Sequence, residues 1–96
     1  MEIETSDIVL SVAGRDQGKL FYVIGTEGAY ILMANGKDRR LESPKRKKLK
    51  HVRKVLRAES RIAEKLRNGE KVLNRELRRD LAAISQEINS QNQGRF

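Results

Sequence analysis

Cysteine and tryptophan are absent from this 96-residue chain, and proline and histidine occur once each. Without cysteine there is no disulfide, no thiolate metal site and no cysteine nucleophile, a composition that fits a reducing compartment. A lone imidazole, His51, cannot assemble a multi-histidine zinc site. Two tyrosines and two phenylalanines are the whole aromatic complement, too few for a strand of bases stacked one after another. No apolar run approaches the roughly 20 residues that cross a bilayer. The opening MEIETSDIV is acidic and lacks the basic, then apolar order of a signal peptide. A single small domain is expected from the length, with a core too modest for a deep catalytic cleft. These absences set the expectation of a cytoplasmic protein with no membrane partner, no metal and no cofactor.

Positive charge is what the chain has in excess. Its net charge is +8, and the excess is localised. Residues 1–36 hold two basic and five acidic side chains, whereas residues 37–57 hold eleven basic and two acidic ones. Residues 58–96 return to near balance, with eight basic and six acidic. A concentrated excess of this size creates a local positive potential, and its natural complement is a polyanion.

The first half of the sequence has the period of strands. Ile8, Leu10 and Val12 alternate with Val9, Ser11 and Ala13. Leu20, Tyr22 and Ile24 alternate with Phe21 and Val23, and AYILMA repeats the pattern. Short β-branched and aromatic runs between glycine turns predict a small antiparallel barrel or sandwich. Asn35-Gly36 predicts a type I′ hairpin leading into a polar fourth strand near 39–42, which Ser43-Pro44 would end. A last short strand is expected near 50–54. Beyond residue 57 the period becomes helical. Ile62, Ala63 and Leu66 share a face, and Asn68-Gly69 reads as a left-handed cap. A second helix is expected to begin with Asn74 as its N-cap and to carry the stripe Leu77, Leu81, Ile84 and Ile88. The organisation expected is an α+β chain: a barrel over 1–56, a helical extension over 57–90 and a polar tail over 91–96. The stripe either folds back on the barrel or offers a face to a protein partner.

The segment VLSVAGRDQGKLFYVIG brackets a polar turn with Gly14 and Gly18 and places Lys19 behind it. A nucleotide-binding phosphate loop needs four residues between its glycines, a hydroxyl after the lysine and a following helix. Here three residues intervene, Leu20 follows Lys19, and KLFYVI is strand-like. Ser11, Ser43 and Ser60 lack a glycine elbow, and one distant histidine makes no serine triad. The chain is not expected to be an enzyme.

The segment Asp7 to Ile24, DIVLSVAGRDQGKLFYVI, resembles a KOW motif, the strand–loop–strand unit of ribosomal proteins and transcription elongation factors. Gly14, Arg15, Asp16, Gly18 and Lys19 stand at matching positions, with Val12 and Val23 flanking them. Gln17 departs from the basic residue common there. Together with AYILMANG and KLKHV, residues 6–55 resemble the large-subunit ribosomal protein families numbered six, fourteen and twenty-seven in archaeal and eukaryotic nomenclature. The resemblance implies an SH3-like barrel of about five strands that binds RNA, mostly ribosomal RNA. A side-chain-free Gly14 and Gly18 would let a sugar–phosphate backbone approach closely, with Arg15 forking onto phosphate oxygens and Lys19 adding a point charge.

Lys45, Arg46, Lys47, Lys48, Lys50, Arg53 and Lys54, with Lys37, Arg39 and Arg40 on the preceding hairpin, are the further candidate phosphate contacts. His51 is either a contact of the same surface or a plain exposed strand residue. PKRKKLK, residues 44–50, also has the composition of a nuclear-import signal. Tyr22, Tyr30 and Phe21 lie in apolar strands and are expected in the core, so recognition of folded RNA by shape and backbone is favoured over base stacking. The alternative reading is a KOW module that docks on RNA polymerase or a translation factor.

Overall fold

The computed structural model describes residues 2–93. Five strands are followed by two helices: β1 (Asp7–Ser11), β2 (Leu20–Glu27), β3 (Tyr30–Ala34), β4 (Lys45–Lys48), β5 (Val52–Arg57), α1 (Arg61–Arg67) and α2 (Asn74–Gln93). A single 3-10 turn, Leu49–His51, joins β4 to β5. All neighbouring strands are antiparallel, in the order β4-β3-β2-β1-β5.

That order and that short connection together dictate the shape. Strands lie about 4.8 Å apart, so a flat sheet would hold β4 and β5 about 19 Å from each other. The four Cα steps from Lys48 to Val52 extend at most about 14 Å. The sheet must therefore roll until its edges approach. Two hydrogen bonds fix the crossing: Leu49 N donates to the Ala29 carbonyl and Val12 N to the His51 carbonyl, both at 2.9 Å. β4 and β5 do not pair with each other, so the roll stays open.

Alternation along the strands builds a core on each face. Val9, Phe21, Val23, Ile31, Met33 and Val52 are buried together, with Leu49 of the crossing packed against them, so this is the concave side. Ile8, Tyr22 and Ala34 point the other way and meet Ala58, Ala63, Leu77 and Leu81. The stripe predicted for α2 is thus spent inside the chain: Leu77 and Leu81 are buried and Ile84 packs on the same cluster. Ile88 edges a groove with Leu10, Leu20 and Val55. A polar lock secures the helices. Ser60 Oγ accepts from Ala63 N at 3.1 Å, capping α1, and donates to Asp80 Oδ2 at 2.8 Å. The Tyr22 hydroxyl donates to the same carboxylate. Burial, then the bond to Asp80, push its pKa well above the ordinary phenol value.

Several boundaries differ from expectation, each for a local reason. No strand forms at 39–42. Asn35 Oδ1 accepts from Lys37 N and Arg39 N, both at 3.0 Å, and Leu41 N donates to Asn74 Oδ1 at 2.8 Å, so side chains claim the backbone groups a ladder would need. The Asn35-Gly36 hairpin is absent too. A type I′ turn needs two positive φ angles, and only Gly36, at +77°, has one. The fourth strand instead follows Pro44, and the region expected as a strand from 50 begins with the 3-10 turn and becomes β5 at Val52. The cap of α2 is not Asn74. Leu73 precedes the helix, its N–H donating to Glu76 Oε1 at 2.9 Å and its carbonyl accepting from Leu77 N, while Asn74 turns to the 35–44 loop. The helix also runs to Gln93, past the expected end at 90. Residues 94–96, the rest of the expected tail, lie outside the described residues. The Asn68-Gly69 ending of α1 is as expected, with Gly69 at φ +71°. No helix among the described residues is long and apolar enough to cross a membrane.

Two substitutions test this packing. Leu77→Ala should lower the unfolding free energy by about 2–5 kcal/mol, read as a lower urea midpoint at unchanged slope. Gly36→Ala should destabilise by more than about 1 kcal/mol, because its methyl would combine a positive φ with a collision against the Asn74 carbonyl.

Candidate functional site

The β1–β2 loop, residues 12–19, is held closed at its base. Gly18 N donates to Ser11 O at 2.8 Å and Ser11 N to Lys19 O at 3.0 Å. Within it, Gln17 N donates to Gly14 O and Lys19 N to Asp16 O. Gly14 has φ +79°, and a Cβ there would lie 3.1 Å from Lys47 Nζ. That lysine is only 8% exposed and donates to Ala13 O at 2.8 Å. It reaches from the concave face of β4 to brace the loop from beneath. Gly18, at φ +88°, faces open space.

A second loop, residues 35–44, is bolted to the first. Arg39 donates through Nε and Nη2 to Asp16 Oδ2 at 3.3 and 3.1 Å, and the Asp16 side chain is 5% exposed. Lys19 Nζ meets Asp38 Oδ2 at 2.7 Å on the exposed side. The start of α2 completes the clamp. Asn74 Nδ2 donates to Glu42 Oε1 at 2.5 Å, and Arg78 Nη1 to the Gly36 carbonyl at 2.6 Å. The pKa values of three carboxylates of this assembly lie below their ordinary values. The hydrogen bond from Lys19 lowers Asp38, that from Asn74 lowers Glu42, and the backbone N–H of Leu73 lowers Glu76.

The clamp divides the expected phosphate-binding cations into two groups. Lys19, Arg39 and Lys47 hold the loops, as described. Arg40 meets Glu42 at 3.3 Å, Arg46 meets Glu27 at 3.1 Å, and Lys54 meets the buried Asp7 at 3.2 Å. Among the described residues, Arg15, Lys37, Lys45, Lys48, Lys50, His51 and Arg53 have no ion-pair partner. Arg15, Lys37, Lys48, Lys50 and Arg53 are exposed, and Lys45 and His51 half-buried. Five of the seven gather at one end of the rolled sheet. Arg15 lies in the 12–19 loop and Lys37 in the loop bolted to it. Lys45 opens β4, where its partner Met33 is two residues from Asn35. His51 ends the 3-10 turn with its carbonyl accepting from Val12 N, and Arg53 lines a hollow with Gly18. Lys48 stands at the opposite end of β4, paired with Tyr30, and Lys50 lines a hollow there with Tyr30 and Ala29.

Sequence reasoning missed two parts of this surface. Asp16, read only as a matching position of the motif, and Asp38, which had no reading, are the anchors that hold the loops together. Tyr30, expected in the core, is partly exposed beneath the Arg46 guanidinium, 3.7 Å above its ring centroid. Tyr22 and Phe21 are buried, as expected. A scan against protein-family models finds no match, and a search of curated proteins finds none either.

The clamp carries a pH dependence whose sign is fixed. The folded-state pKa values of Asp38, Glu42 and Glu76 lie below their ordinary 3.8, 4.5 and 4.5. Their contribution is fully present above those ordinary values and is lost as pH falls through the lowered ones. Asp38→Asn, Glu42→Gln and Glu76→Gln combined should flatten the fall in urea midpoint below pH 4.5. An unchanged slope would place the acid sensitivity elsewhere.

Proposed function

We propose that this chain is a non-enzymatic RNA-binding protein of the KOW type, its rolled sheet an SH3-like barrel, which grips folded RNA by its sugar–phosphate backbone. Ribosomal RNA is the class the motif resemblance favours. One observation carries the reading. Cations without internal partners surround a braced, glycine-containing loop, while Asp16, Asp38 and Glu42 of the same loops are already engaged with Arg39, Lys19, Arg40 and Asn74. The surface therefore presents uncompensated positive charge on a rigid support. Such contacts fix position and orientation on a nucleic acid more than they read its sequence. Arg15 has the planar fork suited to phosphate oxygens, and Gly18 leaves room beside it for a backbone to approach.

The rival reading, docking on a protein through the helical stripe, is weakened by the burial of Leu77 and Leu81. That face becomes available only if α2 leaves the sheet.

The division of cations also selects the variant that tests the reading. Neutralising Lys45 to Lys48 as a block would remove the brace at Lys47 and confound binding with folding. Arg15→Gln, Lys37→Gln, Lys45→Gln and Arg53→Gln together touch no internal ion pair. In anisotropy titrations with a structured ribosomal RNA fragment, this variant should bind more weakly. Its log–log salt slope should be smaller by about three, given 0.7–0.9 per phosphate contact. Equal affinity and slope in variant and parent would refute the proposal. Equal affinity for duplex DNA of matched length would reduce it to general polyanion binding.

A further inference from the structure

Arg46 and Tyr30 form a stack on the convex surface of β3 and β4 that neither the core nor the loop clamp requires. Glu27 holds the guanidinium in place at 3.1 Å, 3.7 Å above the ring centroid. Beside the stack lies a hollow of about 460 Å³ lined by Ala29, Tyr30, Lys48, Leu49 and Lys50. Its size falls within the roughly 300–1,000 Å³ of small-ligand pockets. Tyr30 lines the hollow, and Arg46, which covers its ring, does not. The floor is apolar, supplied by Ala29 and Leu49. The rim is cationic: Lys48 and Lys50 are exposed and have no carboxylate partner among the described residues. The one carboxylate at the stack, Glu27, is engaged with Arg46.

An aromatic wall, an aliphatic floor and two free ammonium groups at the mouth match a flat, apolar-faced ligand that carries phosphates at its edge. We infer that the hollow receives one unpaired nucleobase of a bound RNA, stacked on Tyr30, with its flanking phosphates on Lys48 and Lys50. The inference rests on the RNA-binding reading and sharpens it. The 12–19 end of the sheet grips the backbone of a helix, and the hollow selects helices interrupted by a bulged or flipped nucleotide. Lys50 links the two regions, because its turn borders the hollow and ends at His51, which bonds Val12 of the loop. A single aromatic wall suffices for one base, so the shortage of aromatics in the chain is no obstacle.

Two RNA hairpins of equal length and charge test this, one fully paired and one carrying a single unpaired purine. The parent protein should bind the bulged hairpin about tenfold more tightly, the scale of one base–aromatic stack. Tyr30→Leu should lose that preference while binding the paired hairpin as the parent does, which also shows it folded. Tyr30→Phe, which keeps the ring, should retain the preference. If Tyr30→Leu discriminates as the parent does, or the parent binds both hairpins equally, the base-binding site is overturned and the backbone-binding reading stands. If the parent binds neither hairpin at low salt, the RNA-binding reading itself falls.

Discussion

Lys48 ends one edge of the sheet, Val52 begins the other, and only Leu49, Lys50 and His51 stand between them. A connection that short cannot cross a flat five-stranded sheet, so the strands roll, and most of the structure follows from the roll. It creates the concave core around Phe21 and Met33. It carries Lys47 beneath the 12–19 loop, where the ammonium braces Ala13. It brings the 3-10 turn from the Ala29 end of the sheet to the Val12 end, so that cations far apart in sequence share a surface. The convex face around Ile8 and Tyr22 is covered by α1 and α2, which the Tyr22–Ser60–Asp80 lock holds to the sheet.

The basic residues do two kinds of work within this frame. Charge density alone treats the segment from 37 to 54 as one patch. The structure separates residues whose charge is used internally, such as Arg39 on Asp16 and Lys54 on Asp7, from those that face solvent without a partner. Exposed pairs such as Lys19–Asp38 add little stability individually. Their value here is geometric, because they fix two loops against each other. The free cations then sit on a support whose shape exists before any ligand arrives, which lowers the ordering cost of binding.

Elements with strong local signals were legible in the sequence. The alternating runs around Val9, Phe21 and Ile31 are strands, and the Asn68-Gly69 end of α1 lies where capping chemistry puts it, whereas its Ser60 cap emerges only in the structure. What was not legible depended on distant partners. KRKK has no strand signature, and β4 exists because Lys47 finds the concave face and Ala13 across the roll. RRLE looked like an edge strand, but Leu41 is drawn into the core beside α2 and its N–H is taken by Asn74, thirty-three residues away. Asn74 looked like a helix cap for the same reason that it makes a good loop anchor: its short amide bonds backbone groups readily. Tyr30 looked like core because it sits in an apolar run, and only the pairing with Lys48 and the stack beneath Arg46 reveal its outward face.

On the proposed reading, RNA would meet the 12–19 end of the rolled sheet through cations that have no ion-pair partner among the described residues. Backbone amide shifts of the labelled protein, followed during titration with a structured ribosomal RNA fragment, test it most directly. Perturbation is expected at residues 14–19, 37, 45 and 51–53, with the buried stretch of α2 around Leu77 and Leu81 little affected. Shifts concentrated on the exposed face of the helices, or none at all at low salt, would contradict it.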